Sequence, residues 1–164
     1  MASKMATLED LYTDLLKDLY SAEKQLVKAL PKLAKNAQSP DLRKAFQQHL
    51  KQTEGQVERI ERIFSDLQGS PRGKKCVGME GLIEEGNELL QEDVEPDVLD
   101  AGLIAAAQKV EHYEIAGYGT ARAWAERLGY DSAARLLQET LDEESMANEK
   151  LNQIAESHVN MEAQ

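Results

Sequence analysis

The 164-residue chain is short of almost everything that cross-links or punctuates a fold. A single cysteine, Cys76, excludes an internal disulfide and fits a reducing, cytoplasmic setting. Four prolines, ten glycines and an aromatic content of 5% leave long uninterrupted stretches, which excludes a turn-rich all-β sandwich. No apolar run approaches the roughly 18 residues of a membrane span. Met1–Asp10 lacks the apolar core of a signal peptide. Basic residues are outnumbered 19 to 30, for a net charge of −11. The one basic run, Arg72–Lys75, is too short to carry phosphate affinity, so nucleic acid is excluded as a partner, and so is a membrane.

What the chain has in abundance is Ala, Leu, Glu, Lys and Gln, all good helix formers. The hydrophobic set, at 41%, is ordinary for a packed fold. One domain over residues 1–164, with a core from about 7 to 158, is expected. Apolar positions recur at helical spacing in four long segments. The first, 7–37, opens on the capping pair Thr7 and Asp10, and Pro31 is expected to kink it. The second, 40–68, has Ser39 as its cap, Pro40 as first residue and Gly69 as its stop. The third, 96–128, stops at Gly129. The fourth starts at Asp131 and fades near His158, with a loose polar tail after it. Residues 79–91 read as a short helix inside the long connection between the second and third.

Two tight links and one long crossover predict two helical hairpins joined end to end: an all-α, ferritin-like four-helix bundle with an extra helix in the crossover. Against that frame, some carboxylates lie on the wrong face. Residues at i±3, i±4 and i±7 share a helical face. Around Glu23 these are Leu16, Leu19, Tyr20, Leu26, Val27 and Leu30. Around Glu144 they include Leu137, Leu141, Ala147 and Leu151. Glu111 and Glu114, one turn apart, sit among Ile104, Ala107, Val110, Ile115 and Tyr118. Glu58, by contrast, is surrounded by Lys51, Glu54, Glu61 and Arg62, a solvated face. Glu54 and Glu143 have mixed surroundings.

A buried carboxylate without a partner takes up a proton or a cation. Several at one depth match the ligand logic of di-iron and di-manganese bundles. The second helix departs from that pattern, because the chain contains no Glu-x-x-His. Its inward face offers His49, Gln52, Thr53 and Gln56. Gln56 can coordinate through its carbonyl oxygen, and so can Gln52 and Asn148. The competing role for these amides is helix-to-helix hydrogen bonding. His49 reads as a satisfied core or boundary histidine rather than a direct ligand. Tyr20 and Tyr118 are placed to donate to ligand carboxylates or simply to pack. Gly117 and Gly119 permit close helix approach. Cys76, after Lys74 and Lys75, reads as a surface thiol.

Several stretches are similar to a known family. They are Tyr-Ser-Ala-Glu-Lys-Gln-Leu at 20–26 and His49-Leu50 with Thr53 and Gln56. Lys75-Cys76-Val77 with Met79–Glu85, Ala105–Ala116 and Tyr118-Gly119-Thr120 complete the set. Through them the chain resembles the YciF-like and YciE-like bacterial stress proteins of the ferritin-like superfamily. The resemblance implies a rubrerythrin-like bundle, a homodimer, induction under stress and a dinuclear metal site. It also implies acidic residues at the positions of Gln52 and Asn148, where this chain carries amides and so two fewer negative charges.

The expected function is therefore a stress-associated bundle with a carboxylate-rich site for divalent metal, iron first, then manganese or zinc. Its metal ligands are expected among Glu23, Glu111, Glu114, Glu144, Gln52, Gln56 and Asn148. Such a site suits redox chemistry on a small-molecule oxidant such as peroxide. No residue pattern assigns catalysis. The alternative is a non-enzymatic helical dimer with a degenerate, metal-free site. A large shell for iron storage or DNA protection is disfavoured by the acidic charge and the missing basic arm.

Overall fold

A computed structural model describes residues 4–164. Helix α1 spans Leu8–Asn36, α2 Pro40–Asp66, α3 Val77–Gln91, α4 Pro96–Leu128 and α5 Asp131–Ile154. No strand is present among the described residues. Among the described residues no helix is long and apolar enough to cross a membrane.

The ends of the helices follow local chemistry. At the start of α1 the Asp10 N–H donates to Thr7 Oγ1 at 3.1 Å, and the Thr7 N–H donates to Asp10 Oδ2 at 2.9 Å. That reciprocal pair satisfies donors that a helix start leaves free. Pro31 deprives α1 of one N–H, yet the helix continues to Asn36. Ser39 caps α2, and Pro40 occupies its first turn. The stop of α2 differs from expectation. Gln68, not Gly69, takes the left-handed conformation (φ 55°), and the Gly69 N–H closes the end on the Phe64 carbonyl at 2.9 Å. A polar residue tolerates this geometry at modest strain. Gly129 takes the same role after α4 (φ 78°) as expected, with the Tyr130 N–H on the Ala125 carbonyl.

Helices α1 and α2 pack as one hairpin and α4 and α5 as another. The hairpins meet along α1–α4 and α2–α5, so the four long helices close a ring. Helix α3 lies outside it, against α4 and α1. Asp100 of α4, almost fully buried, ties the hairpins at one end: it accepts the Gln38 and Ser39 N–H groups at 2.7 Å each.

The tail is ordered rather than loose. The chain leaves α5 through a π-helical turn, Ala155–Val159, and ends in a further helical turn, Asn160–Glu162. The wider turn accommodates an extra residue. Val159 is buried against the core, and His158 Nε2 reaches Ser39 Oγ at 3.2 Å.

The interior is divided. One apolar cluster holds Leu26, Leu30, Phe46, Leu103, Leu151 and Ile154. The other holds Tyr12, Leu16, Leu19, Ile60, Phe64 and Leu137. Between those clusters lie most of the buried polar side chains of the long helices: Glu23 on α1, His49, Thr53 and Gln56 on α2, Glu111 and Glu114 on α4, Thr140 and Glu144 on α5.

Candidate metal centre

Each helix delivers its polar residue inward because the apolar stripe on either side of it is already committed to the core. Glu23, Glu114 and Glu144 are fully shielded from solvent, Glu111 is 2% exposed and His49 6%. One potential ligand atom from each of His49, Glu111, Glu114 and Glu144 falls within 4.8 Å of the others. Glu23 adjoins this quartet. Its carboxyl feels the charge of Glu144, and it accepts the Tyr118 hydroxyl.

Compensation inside the cluster is scant. No lysine or arginine among the described residues forms an ion pair with any of these four glutamates. Only His49 approaches, its Nε2 at 3.2 Å from Glu111 Oε1 and 3.9 Å from Glu144 Oε2. Neither contact is aligned as a hydrogen bond. Both oxygens of Glu114 and of Glu144, and one each of Glu23 and Glu111, have no hydrogen-bond partner. Burial, and then the neighbouring carboxylates, push Glu23, Glu111 and Glu114 well above the ordinary glutamate range. Burial, with the charge of Glu23 behind it, raises the Tyr118 phenol likewise. A site of this composition holds protons or cations.

The expected amide ligands divide. Gln56 is fully buried; its Nε2 donates to Glu143 Oε2 at 2.9 Å, and its Oε1 has no partner. It thus borders the cluster with a free carbonyl oxygen. Asn148 is half-buried, and its Oδ1 also lacks a partner. Gln52 is half-buried and lines a cavity together with His49 and Glu111. Glu143 is claimed by a two-pronged pair with Arg59, at 2.7 and 2.8 Å. Burial alone would raise its carboxyl, but Arg59 and Gln56 outweigh it and hold Glu143 below the ordinary value. Glu54 and Glu58 face solvent.

Several single-residue expectations change. His49 is a member of the cluster, not a bystander; its depth on α2 depends on how the hairpins dock, which periodicity alone leaves open. Tyr20 does not serve the site, because its hydroxyl donates to Glu61 at 3.0 Å. Gly117 does permit close approach: a Cβ there would lie 2.7 Å from Leu19 Cδ2. Cys76 is fully buried and caps α3, accepting the Met79 N–H at 3.3 Å. Its thiol lies 3.0 Å from the Tyr113 hydroxyl and 3.2 Å from Asp18, and burial pushes it up rather than down.

Comparison with known proteins places this architecture. The chain is 52% identical over 161 residues to protein YciF of Escherichia coli K12, covering 98% of this chain and 97% of YciF. The crystal structure of that E. coli stress protein superposes with a TM-score of 0.91, over 95% of this chain and 99% of the other. YcfI of Rhodopseudomonas palustris matches with a TM-score of 0.89 at 45% identity, over 93% and 97% of the two chains. A Xanthomonas campestris protein at 21% identity shares the fold, with a TM-score of 0.76 over 96% of each chain. Residues 7–164 match the family described as domain of unknown function DUF892, and to that family the chain belongs.

Proposed function

We propose that this chain is a stress-associated, ferritin-like four-helix bundle whose midplane holds divalent metal. The observation that carries the reading is the convergence of Glu23, Glu111, Glu114, Glu144 and His49 in a solvent-free layer where most carboxylate oxygens have no partner. His49, Glu111, Glu114 and Glu144 would hold one ion. Glu23 and the free carbonyl oxygen of Gln56 extend the donor set toward a second. Carboxylates with one imidazole suit iron or manganese, with zinc as a competitor. A redox-active ion there supplies electron exchange with a small oxidant such as peroxide or dioxygen.

The protein's own residues do the rest. Tyr118 fixes the orientation of Glu23 by donating to it. Arg59 holds Glu143, and through it Gln56, at the edge of the site. The apolar clusters on either side keep bulk water out, which strengthens every charge interaction inside. A homodimer, implied by the family resemblance, completes the reading.

The decisive experiment is elemental analysis of protein purified without chelator, followed by thermal melting with and without added Mn²⁺ or Fe²⁺. Bound metal and a melting temperature that climbs with metal concentration are expected. Protein that takes up no iron, manganese or zinc, and melts identically with and without them, overturns the proposal in favour of a proton-filled, metal-free bundle.

A further inference from the structure

A cavity of about 330 Å³ opens beside the carboxylate cluster. Its walls are apolar and buried: Leu26, Leu30, Phe46, Val110 and Leu151. Exposed polar residues, Gln48, Glu149, Lys150 and Gln153, stand around it on the solvent side. Two buried polar side chains, His49 and Glu111, also line it, and His49 Nδ1 and Glu111 Oε2 lack hydrogen-bond partners. Packed cores leave few voids larger than a water molecule. This one has the size of a small-molecule site, about 300 Å³ or more, and the usual make-up of one: apolar walls with a few polar groups.

We propose that this cavity binds a neutral, medium-chain aliphatic molecule bearing one hydroxyl or carbonyl group, its chain along the leucine-rich walls and its polar end at His49 and Glu111. A neutral head suits that end. An imidazole and a carboxyl offer donor and acceptor positions together, which a single hydroxyl or carbonyl can match, and no lysine or arginine among the described residues pairs with Glu111 to receive an anionic head. The molecule's role as a substrate rests on the metal reading above; its binding does not.

The test titrates the full-length protein, both chelator-treated and loaded with Mn²⁺, with 1-octanol, octanoate and octylamine, followed by ligand-observed NMR. Octanol is expected to bind both forms, about tenfold more tightly than either charged analogue. In the Mn²⁺-loaded form the CH₂ beside its hydroxyl should broaden more than its terminal methyl. Ala147→Phe, which fills the cavity from α5, should weaken octanol about tenfold or more while leaving the helical circular dichroism intact. Ala45→Phe fills it from α2 and serves if the first variant misfolds. Failure of octanol to bind, equal binding by the filled variants, or tighter binding of octanoate or octylamine overturns the proposal. Octanol binding to protein that takes up no iron, manganese or zinc would sink the metal reading alone; metal uptake without octanol binding would sink this one alone.

Discussion

Tyr118 donates its hydroxyl to Oε1 of Glu23 across 95 residues of sequence, and both side chains are wholly removed from solvent. This is the one hydrogen bond that a tyrosine makes to a cluster carboxylate among the described residues. Tyr118→Phe keeps the ring packing and removes only the donor. Mn²⁺ affinity, measured by calorimetric titration, should fall by about ten- to a hundredfold, as for other lost orienting partners of ligands. Unchanged affinity would show that Glu23 needs no positioning.

The pH dependence of stability follows from the direction of three shifts. Glu23, Glu111 and Glu114 stand well above their ordinary value of 4.5 in the folded protein. A carboxyl raised on folding binds more protons in the native state. Its contribution is fully present below 4.5 and is lost as pH rises through the folded values. Chelator-treated protein should therefore lose stability in urea unfolding as pH rises above about 5. Protein saturated with Mn²⁺ should lose less, because the metal requires the deprotonated carboxylates.

Glu114→Gln separates stability from function. Glu114 is completely buried among like charges with neither oxygen partnered. Replacing it with a neutral amide of the same shape should raise the melting temperature of the metal-free protein near pH 8 while weakening metal binding. The reverse pattern, destabilisation of the metal-free form, would mean that the carboxylate is compensated by a group other than a bound cation or proton.

Asp100→Ala should cost about 1–3 kcal/mol in urea unfolding, since the buried N–H of Ser39 and the part-buried N–H of Gln38 lose their acceptor together. Asp100→Asn, which retains one acceptor oxygen, should cost less.

The legible part of this protein is what a helix's own periodicity reports. The five helices, the capping pair Thr7–Asp10 and the stop at Gly129 all follow from local spacing. Glu23, Glu111, Glu114 and Glu144 were identifiable because their neighbours at helical spacing are apolar, and all four are buried. What escaped depends on docking. His49, Gln52 and Gln56 occupy one stripe of α2, and only the depth at which α2 meets α4 and α5 decides that His49 joins the cluster. The signal for His49 is an imidazole in a stripe that faces the buried acids of the other helices. The burial of Cys76 likewise depends on α3 folding back onto α1 and α4, where Asp18, Ser21 and Tyr113 meet it. The π-helical turn at Ala155–Val159 has no local breaker to announce it.

The distribution of the cluster between hairpins shapes how the molecule assembles. Glu23 and His49 arrive on the first hairpin; Glu111, Glu114 and Glu144 arrive on the second. While the halves are apart, each set can stay hydrated. Three of the four negative groups therefore meet where α4 packs on α5, and docking of the first hairpin brings in Glu23 and closes all four away from water. Joining the halves is thus linked to uptake of protons or cations.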